Sequence, residues 1–404
     1  MEHVFRELLE EWLSGEKPRV VEREISAVLE PGLAFAVVGP RRAGKTYFLY
    51  QLASSRGGFY FNFEDVRLAG LKPRHFSSFL KVLSEYGAGR GALLLLDEVQ
   101  NIPAWGRWVR SLLDRGFQVA LAGSSARLRA GEVSTELRGR YISRLLLPFS
   151  FREFLKARGI SAAEARHPEA RGRLLSTLRE YLELGGYPEA VLKPELGPTL
   201  LKMYRDTVVY RDVVERHRVR DPRALEVFLH LVESSFARPF SISSAYRAMR
   251  GAGFEKSKKT LAAYLHYLEE AYYVVAVPKL GPGKTPLTQP RKIYPIDPGY
   301  VKDFSKKMEA AVALELIRRE KSPMYYREKR EVDFCIPDDR TFIQVTYASA
   351  WDEVEKREIE ALAEATTKYG GKAQLITWDL EGTLVKGGTA VEAVPLWRWL
   401  VEKR

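Results

Sequence analysis

The sequence has a single cysteine, Cys335, and only two asparagines, Asn62 and Asn101. One cysteine excludes a disulfide within the chain, and no grouping of Cys and His offers a structural zinc site. No apolar run approaches the roughly 20 residues that cross a bilayer, and the first residues lack the layout of a signal peptide. We therefore expect a cytoplasmic protein without membrane contact. The depletion of thermolabile asparagine favours a thermophilic source.

The bulk composition is that of a globular protein, with 46% hydrophobic and 29% charged residues in 404. This length predicts two to four domains, since single hydrophobic cores stop growing at roughly 250 to 300 residues. The net charge is +12, and +6 of it lies between residues 236 and 300, a segment with ten lysines and arginines and four acids. Such a local excess favours a polyanionic partner.

A glycine-rich motif lies between an apolar run at 33–38 and a helical pattern at 47–52. It reads Gly39-Pro40-Arg41-Arg42-Ala43-Gly44-Lys45-Thr46. Gly39 and Gly44 allow the backbone angles that turn N–H groups toward phosphates, and the helix amino terminus adds its dipole. Lys45 would reach the β- and γ-phosphates, and Thr46 would bind Mg²⁺. The strand, loop and helix order therefore predicts an ATP site.

A second motif consists of four leucines followed by Asp97 and Glu98, which is typical of a buried parallel strand ending in two carboxylates. The carboxyl end of such a strand lies beside the phosphate-binding loop. We expect Asp97 to hold Mg²⁺ through water and Glu98 to polarise the attacking water. A further strand at 59–63, between the two motifs, is typical of P-loop ATPases with an added catalytic glutamate.

Two pairs of polar residues lie next to later strands. Ser124 and Ser125 follow the apolar run 118–122 after Gly123, and they are candidate sensors of the γ-phosphate or the attacking water. A helix cap or turn explains them equally well. Arg138 and Arg140 precede a fifth strand at 141–147. Either could act on the ATP of a neighbouring subunit in a homo-oligomer, worth roughly 10³ to 10⁵ in rate, and a solvated or structural role fits at least as well.

In residues and in order, these motifs resemble the AAA+-type ATPases of archaea and some bacteria, in which a P-loop domain precedes a little-characterised carboxyl-terminal region. The resemblance spans essentially the whole chain. Besides residues 39–46, it rests on Asn62-Phe63-Glu64-Asp65, Asp97-Glu98-Val99-Gln100-Asn101 with Trp105, Gly123-Ser124-Ser125-Ala126, Leu137-Arg138-Gly139-Arg140, Pro148-Phe149-Ser150-Phe151-Arg152-Glu153-Phe154 and Gly185-Gly186-Tyr187-Pro188-Glu189.

The basic segment 236–300 has the pattern of a winged helix: two short helices near 241 and 257, then strands at 273–277 and 292–296 around a Gly-Pro tip. In DNA binders of this type the second helix enters the major groove, and basic wing residues contact phosphate. The candidate contacts are Lys256, Lys258, Lys259, His266, Lys284, Arg291 and Lys292. A dimerisation or protein-docking module is the alternative, and the charge excess favours DNA.

The segment 301–404 is similar to a restriction-endonuclease-like core. An active core needs an Asp and then Glu-X-Lys to bind Mg²⁺ and position a water. Asp333 and the helical Glu309 match the acids, but Gln344-Val345-Thr346 stands where Glu-X-Lys belongs. Gln344 is a weak metal ligand, and Thr346 cannot supply the charge of lysine. We expect a nuclease-like fold that has lost catalysis, with an active Mg²⁺-dependent nuclease as the alternative.

The predicted fold is α/β with four parts. An AAA+-type ATPase domain with a parallel sheet covers 1–155, a helical lid or linker 156–235, a winged helix 236–300, and a restriction-endonuclease-like domain 301–404. The predicted function is ATP hydrolysis with Mg²⁺, coupled to DNA binding, in which the nucleotide state repositions the carboxyl-terminal domains. A signalling or defence switch acting on a protein partner is the alternative.

Overall fold

The computed structural model describes residues 1–123, 135–161, 168–281 and 289–402. By internal contacts the chain forms two compact units, Met1–Leu147 and Pro148–Arg404. The division into four domains stays a prediction. No helix in these described ranges is both long and apolar enough to span a membrane.

The first unit is built on a five-stranded parallel sheet in the order β2-β3-β4-β1-β5. Its strands are β1 (Ala34–Val38), β2 (Phe59–Asn62), β3 (Leu93–Asp97), β4 (Gln118–Ala122) and β5 (Tyr141–Leu145). Its helices are α1 (Glu2–Ser14), α2 (Lys45–Arg56), α3 (Phe76–Glu85) and α4 (Trp105–Asp114). The α/β fold with a parallel sheet expected of a P-loop domain is thereby confirmed.

Two hydrophobic cores cover the two faces of this sheet, because alternate residues of each strand point to opposite sides. On one face Leu94 and Leu96 pack with residues of α1, α3 and α4. On the other face Leu93 and Leu95 pack with Phe48 and other residues of α2. Burial on both sides explains why the strands are continuous apolar runs rather than alternating patterns.

The second unit begins with helices, followed by a small sheet. The helices are α5 (Phe151–Ala157), α6 (Pro168–Leu184), α7 (Pro188–Leu192), α8 (Gly197–Thr207), which continues into a π-helix (Val208–Glu215), and α9 (Pro222–Ser234). Next come β6 (Pro239–Phe240), α10 (Ile242–Gly251), α11 (Lys258–Glu270), β7 (Val274–Val277) and β8 (Arg291–Pro295). The three strands form an antiparallel sheet in the order β6-β8-β7, and the tip at 282–288 lies outside the described residues.

The helix break at Gly185 and Gly186 is where the side chain of Asp297 docks. Asp297 accepts hydrogen bonds from the backbone N–H groups of Gly186 and Gly299, and each donor–acceptor distance is 2.8 Å. Gly185 has a φ of +81°, and a Cβ there would lie 1.9 Å from Asp297 Oδ1. Only glycine fits both this backbone conformation and this close approach.

The last part of the chain forms a six-stranded mixed sheet in the order β13-β14-β12-β11-β10-β9. Its strands are β9 (Met324–Arg327), β10 (Glu331–Ile336), β11 (Thr341–Val345), β12 (Lys372–Thr377), β13 (Gly382–Lys386) and β14 (Thr389–Pro395). The helices are α12 (Phe304–Arg318), α13 (Lys356–Tyr369) and α14 (Leu396–Val401). Residues 307–316 of α12 are all buried, so this helix is enclosed on every side.

The segment that follows β7 of the three-stranded sheet is hydrogen-bonded to the edge strand β9 of the six-stranded sheet through backbone groups. Leu280 N donates to Tyr325 O over 2.7 Å, and Tyr325 N donates to Pro278 O over 2.9 Å. The chain after β7 therefore runs beside β9.

Candidate nucleotide-binding site

The glycine-rich motif forms the loop between β1 and α2, as its sequence context predicts. Gly39 has a φ of +150°, and a Cβ there would lie 2.2 Å from the carbonyl oxygen of Leu146, just after β5. Gly44 and Arg42 also have positive φ values, +93° and +62°. Left-handed residues in such a loop are typical of backbone nests that bind anions. The loop thus has the conformation that a phosphate chain requires.

Lys45 begins α2 and is buried within the loop. Its ammonium donates to the carbonyl oxygens of Gly39, over 3.0 Å, and Pro40, over 2.7 Å. Phosphate oxygens would accept from the same ammonium with a stronger, charge-assisted bond. The position of Lys45 therefore fits the β- and γ-phosphates of a nucleotide.

Thr46 and Asp97 meet across the edge of the sheet. Thr46 Oγ1 donates to Asp97 Oδ2 over 2.6 Å, although 51 residues separate them. Hydroxyl and carboxylate oxygens are the ligands that Mg²⁺ prefers. These two side chains, brought together by α2 and β3, fit the Mg²⁺ that accompanies ATP.

Asp97 also accepts a hydrogen bond from the hydroxyl of Tyr60 over 3.0 Å. Burial raises the pKa of Asp97 above its ordinary value, and the bonds from Thr46 and Tyr60 partly offset the rise. Sequence reasoning missed Tyr60. The available signal was strand alternation: Phe61 packs with α1 and α3, so Tyr60 must face α2 and the phosphate-binding loop.

Glu98 lies directly after Asp97 in a left-handed conformation, with a φ of +49°. Its N–H donates to Asp97 Oδ1 over 3.1 Å, and its carboxylate accepts from the side-chain amide of Gln100. A left-handed backbone costs energy for any residue with a Cβ, and such residues concentrate at functional sites. Gln100 thus bonds the Glu98 carboxylate, and the charge of this carboxylate acts on Asp97, whose pKa it helps to raise.

The candidate sensors Ser124 and Ser125 lie outside the described residues, and their role stays a prediction. Gly123 follows β4, which lies between β1 and β3 in the sheet. The carboxyl end of β4 therefore opens between the glycine-rich loop and Asp97.

Arg138 and Arg140 lie at the amino end of β5, which is the edge of the sheet opposite the glycine-rich loop. Arg140 donates to Gly32 O over 3.1 Å and to Asp114 Oδ1 over 2.7 Å. Arg138 is exposed, with a φ of +52°. Neither arginine lies at the glycine-rich loop of its own chain. Their action on the ATP of a neighbouring subunit stays a prediction.

The predicted nucleic-acid contacts divide by exposure. Lys258, Lys259 and His266 are exposed on α11. Lys256 is paired with Asp221 over 2.7 Å, and Arg291 with Glu269 over 2.8 Å. Lys284 lies outside the residues that the structure describes.

The burial of Lys292 contradicts the expectation from the sequence that this lysine contacts a DNA phosphate. Only 1% of this side chain is exposed, and carboxylates surround its ammonium. All of β8 except Arg291 is buried, so this strand offers no outward position for a lysine. Arg247 and Arg250, which the sequence counted only in the charge excess, are exposed on α10.

The structure brings Glu309, Asp333 and Gln344 together at one end of the six-stranded sheet. Gln344 Oε1 accepts from Asp333 N over 3.2 Å, and Asp333 Oδ2 accepts from Val345 N over 3.0 Å. All three side chains are buried. Within the described ranges, no group of three or more His, Cys, Asp or Glu residues is arranged to hold a metal ion.

A further acid, Glu358 of α13, lies near this cluster and was missed by sequence reasoning. It interacts with the side chain of Thr346 and with the charge of Asp333. Burial raises the pKa of Glu358 to about 7. Its buried Oε2 atom has no hydrogen-bond partner in the described part of the chain.

Comparison with known proteins identifies two regions of the chain. Residues 32–155 match an AAA domain, and residues 175–309 match a domain of unknown function. The Orc1 protein of Aeropyrum pernix, solved in complex with DNA, overlaps 79% of this chain and 93% of that one. Its TM-score of 0.29 and identity of 16% support no inference about this chain.

Two relatives of similar length are described as uncharacterized proteins. The one from Haemophilus influenzae is 27% identical over 339 residues, covering 77% of this chain and 82% of the relative. The one from Methanocaldococcus jannaschii is 32% identical over 410 residues, covering 95% of this chain and 92% of the relative. The chain therefore belongs to the family of this Methanocaldococcus jannaschii protein, and its residues 32–155 match an AAA domain.

Proposed function

We propose that this chain binds ATP with Mg²⁺ and hydrolyses it. The observation that carries the proposal is the 2.6 Å contact between Thr46 and Asp97, at the sheet edge that also carries Lys45 and Glu98. Parallel strands deliver their carboxyl-terminal side chains to this edge, where α/β proteins bind ligands. The close approach of Gly39 to Leu146 gives the loop its shape.

In this proposal Lys45 exchanges its loop carbonyls for the β- and γ-phosphates, and Thr46 and Asp97 hold Mg²⁺. When bound, Mg²⁺ neutralises the charge that develops on the transferred phosphoryl group. Glu98 orients the attacking water and takes up its proton, with Gln100 holding the Glu98 carboxylate in place. Ser124, Ser125, Arg138 and Arg140 keep the supporting roles that the sequence predicts.

We further propose that α10, α11, β7 and β8 form a winged helix that binds DNA. Arg247, Arg250, Lys258 and Lys259 are exposed, and none of them forms an ion pair with another described residue. Lys258, Lys259 and His266 share the exposed side of α11, the helix expected to enter the major groove. The two arginines and the two lysines support phosphate binding, because no acid among the described residues forms an ion pair with them. His266, by contrast, lies 3.5 Å from a carboxylate oxygen of Glu270.

We also propose that residues 301–404, which include the six-stranded sheet, form a nuclease-like fold without nuclease activity. The backbone hydrogen bonds of Tyr325 with Pro278 and Leu280 support movement of the six-stranded sheet together with the α10–α11 helix pair that precedes this segment. In this scheme the nucleotide state repositions both modules at once on DNA.

The test measures ATP hydrolysis with and without single-stranded, duplex and branched DNA, together with DNA retention across a salt series. We expect hydrolysis that Lys45→Ala abolishes, stimulation by one form of DNA, and retention that weakens steeply with salt. No hydrolysis by the wild type would reject the ATPase proposal. Hydrolysis unchanged by DNA, with no DNA retention at low salt, would reject the DNA proposal and favour a switch that acts on a protein partner.

A further inference from the structure

Lys292 of β8 lies at the centre of three carboxylates. Its ammonium nitrogen is 2.8 Å from Asp333 Oδ1, 2.8 Å from Glu331 Oε1 and 3.0 Å from Glu309 Oε1. An ammonium has three N–H donors, so each donor has its own carboxylate. Glu309 Oε1 also accepts from the hydroxyl of Tyr294 over 2.7 Å. The buried cation is therefore fully satisfied.

The geometry around the nitrogen is that of a protonated ammonium. Three carboxylates lie at hydrogen-bond distance, and an ammonium has one donor for each of them and no acceptor. The charge balance is that of one cation among three acids, with Lys306 also near Glu309, at 3.8 Å. Glu309 and Asp333 are buried, and a buried pair of carboxylates needs a cation, since unpaired buried carboxylates are strongly disfavoured.

The acids and the lysine come from different modules. Glu309 lies on α12, while Glu331 and Asp333 lie on β10 of the six-stranded sheet; Lys292 lies on β8 of the three-stranded sheet. The second oxygen of Asp333 is fixed by the N–H of Val345, so Oδ1 is directed at the ammonium. Glu309 and Asp333 are the same acids that the nuclease-like pattern assigns to Mg²⁺.

We propose that the Lys292 ammonium takes the place of a divalent cation among Glu309, Glu331 and Asp333. The six-stranded sheet with α12 then needs no metal to neutralise these acids, and the same lysine joins it to the three-stranded sheet. The observed separations support this assignment. Oxygens at 2.8 to 3.0 Å suit N–H···O hydrogen bonds, whereas Mg²⁺ binds oxygen at about 2.0 to 2.1 Å and Ca²⁺ at about 2.3 to 2.6 Å.

A catalytic role for Lys292, as a displaced nuclease lysine, fits the geometry less well. A lysine that activates water needs an N–H free to reach it, but all three donors of Lys292 contact carboxylates. The side chain is also only 1% exposed, which leaves no path for a phosphodiester to approach it.

The experiment compares Lys292→Met with Lys302→Met, a matched control at an exposed lysine, both in an Asp97→Asn background that removes the carboxylate of the nucleotide site. Mn²⁺ is titrated without nucleotide, with binding followed by electron paramagnetic resonance and stability by the thermal midpoint. The Asp97→Asn protein and its Lys302→Met variant should bind no Mn²⁺ at the acid cluster of the second unit. Lys292→Met should bind one Mn²⁺ per chain and gain about 5 °C or more in its midpoint at saturation.

Adding Asp333→Asn to Lys292→Met should abolish the Mn²⁺ response. If Lys292→Met is insoluble alone, refolding with Mn²⁺ should recover it, and failure to recover would overturn the proposal. A folded Lys292→Met that binds no Mn²⁺ would also overturn it. So would Mn²⁺ binding or Mn²⁺-dependent DNA cleavage by the wild type that Asp333→Asn removes. The outcome is independent of the ATPase and DNA-binding proposals, because no readout on the variants involves ATP or the α11 surface.

Discussion

The hydroxyl of Tyr60 on β2 donates to Asp97 Oδ2 on β3, over 3.0 Å, and Thr46 donates to the same oxygen over 2.6 Å. The phenol is held by aromatic neighbours: its ring centroid lies 4.9 Å from that of Trp12 and 5.0 Å from that of Tyr50. Trp12 is in turn anchored, because its Nε1 donates to Gly58 O over 3.0 Å. The carboxylate proposed to hold Mg²⁺ is thus oriented from α1 as well as from α2.

Tyr60→Phe should weaken the response to Mg²⁺ without abolishing ATP binding. Loss of one hydrogen bond to a charged group corresponds to about 1.5 to 3 kcal/mol, or roughly a ten- to hundredfold rise in the Mg²⁺ concentration for half-maximal hydrolysis. Tyr86→Phe is the control, because Tyr86 also bonds a carboxylate, Glu10, on an exposed surface. An unchanged Mg²⁺ titration would show that Tyr60 only fills space.

Glu98→Gln should retain ATP and lose about 10²- to 10⁴-fold in hydrolysis rate, because the amide cannot take up the proton of water. Nucleotide binding and single-turnover hydrolysis would be measured separately. Glu64→Gln, an exposed acid after β2, is the control and should behave as wild type. Normal turnover in Glu98→Gln would assign the base to another residue.

Gly39→Ala should disrupt the glycine-rich loop, since its Cβ would lie 2.2 Å from Leu146 O. Gly87→Ala is the matched control: Gly87 also has a positive φ, +76°, but no atom lies within 4 Å of a Cβ there. We expect a loss of about 1 kcal/mol in the free energy of unfolding for Gly87→Ala, from backbone strain alone, and a larger loss for Gly39→Ala. Urea unfolding of the two variants tests the difference, and equal losses would contradict it.

Replacement of both Lys258 and Lys259 by alanine should weaken DNA binding for all sequences. If each lysine neutralises one phosphate, the slope of log K against log salt should become shallower by about 1.8. Lys256→Ala, which removes a lysine already paired with Asp221, should change the slope less. A slope that stays the same in the double variant would place the DNA surface elsewhere.

Glu358→Gln should stabilise the protein at pH 8 and have little effect at pH 4. Since burial raises the pKa of Glu358 to about 7, the folded chain binds a proton here more tightly than the unfolded chain. The stability associated with Glu358 is therefore present at low pH and is lost as pH rises from the ordinary carboxyl value through about 7.

With allowance for the part of the side chain that water reaches, the gain for Glu358→Gln at pH 8 should be about 1 kcal/mol. Thermal midpoints at the two pH values measure it. Glu195→Gln, at an exposed position remote from Glu358 in the sequence, should show no such pH dependence. A gain equal at both pH values would mean that ionisation is not its cause.

The nucleotide site could be predicted because its parts are local. Residues 39–46 carry their own loop geometry, and the run Leu93–Leu96 ending in Asp97 and Glu98 specifies a buried strand with acids at its end. The parallel sheet then places the two motifs at the same edge without further information. Tyr60 escaped prediction because a tyrosine in a strand pattern does not reveal which polar group its hydroxyl will meet.

The basic segment shows the opposite situation. Its helices and strands follow from the sequence, but the exposure of its lysines does not. Lys292 was assigned to a surface because it sits in a basic run, yet its partners Glu309 and Asp333 lie 17 and 41 residues further along. Long-range packing, rather than local charge, decided that this lysine is a buried counter-ion.

The sequence by itself determined the glycine-rich loop, the acidic strand end and the strand and helix on either side of that loop, because these depend on backbone angles and periodicity within a few residues. The tertiary structure alone decided which charges face solvent and which face each other. Burial depends on what packs against a strand from distant parts of the chain, and for β8 that packing converts Lys292 from a candidate DNA contact into the cation of an acid cluster.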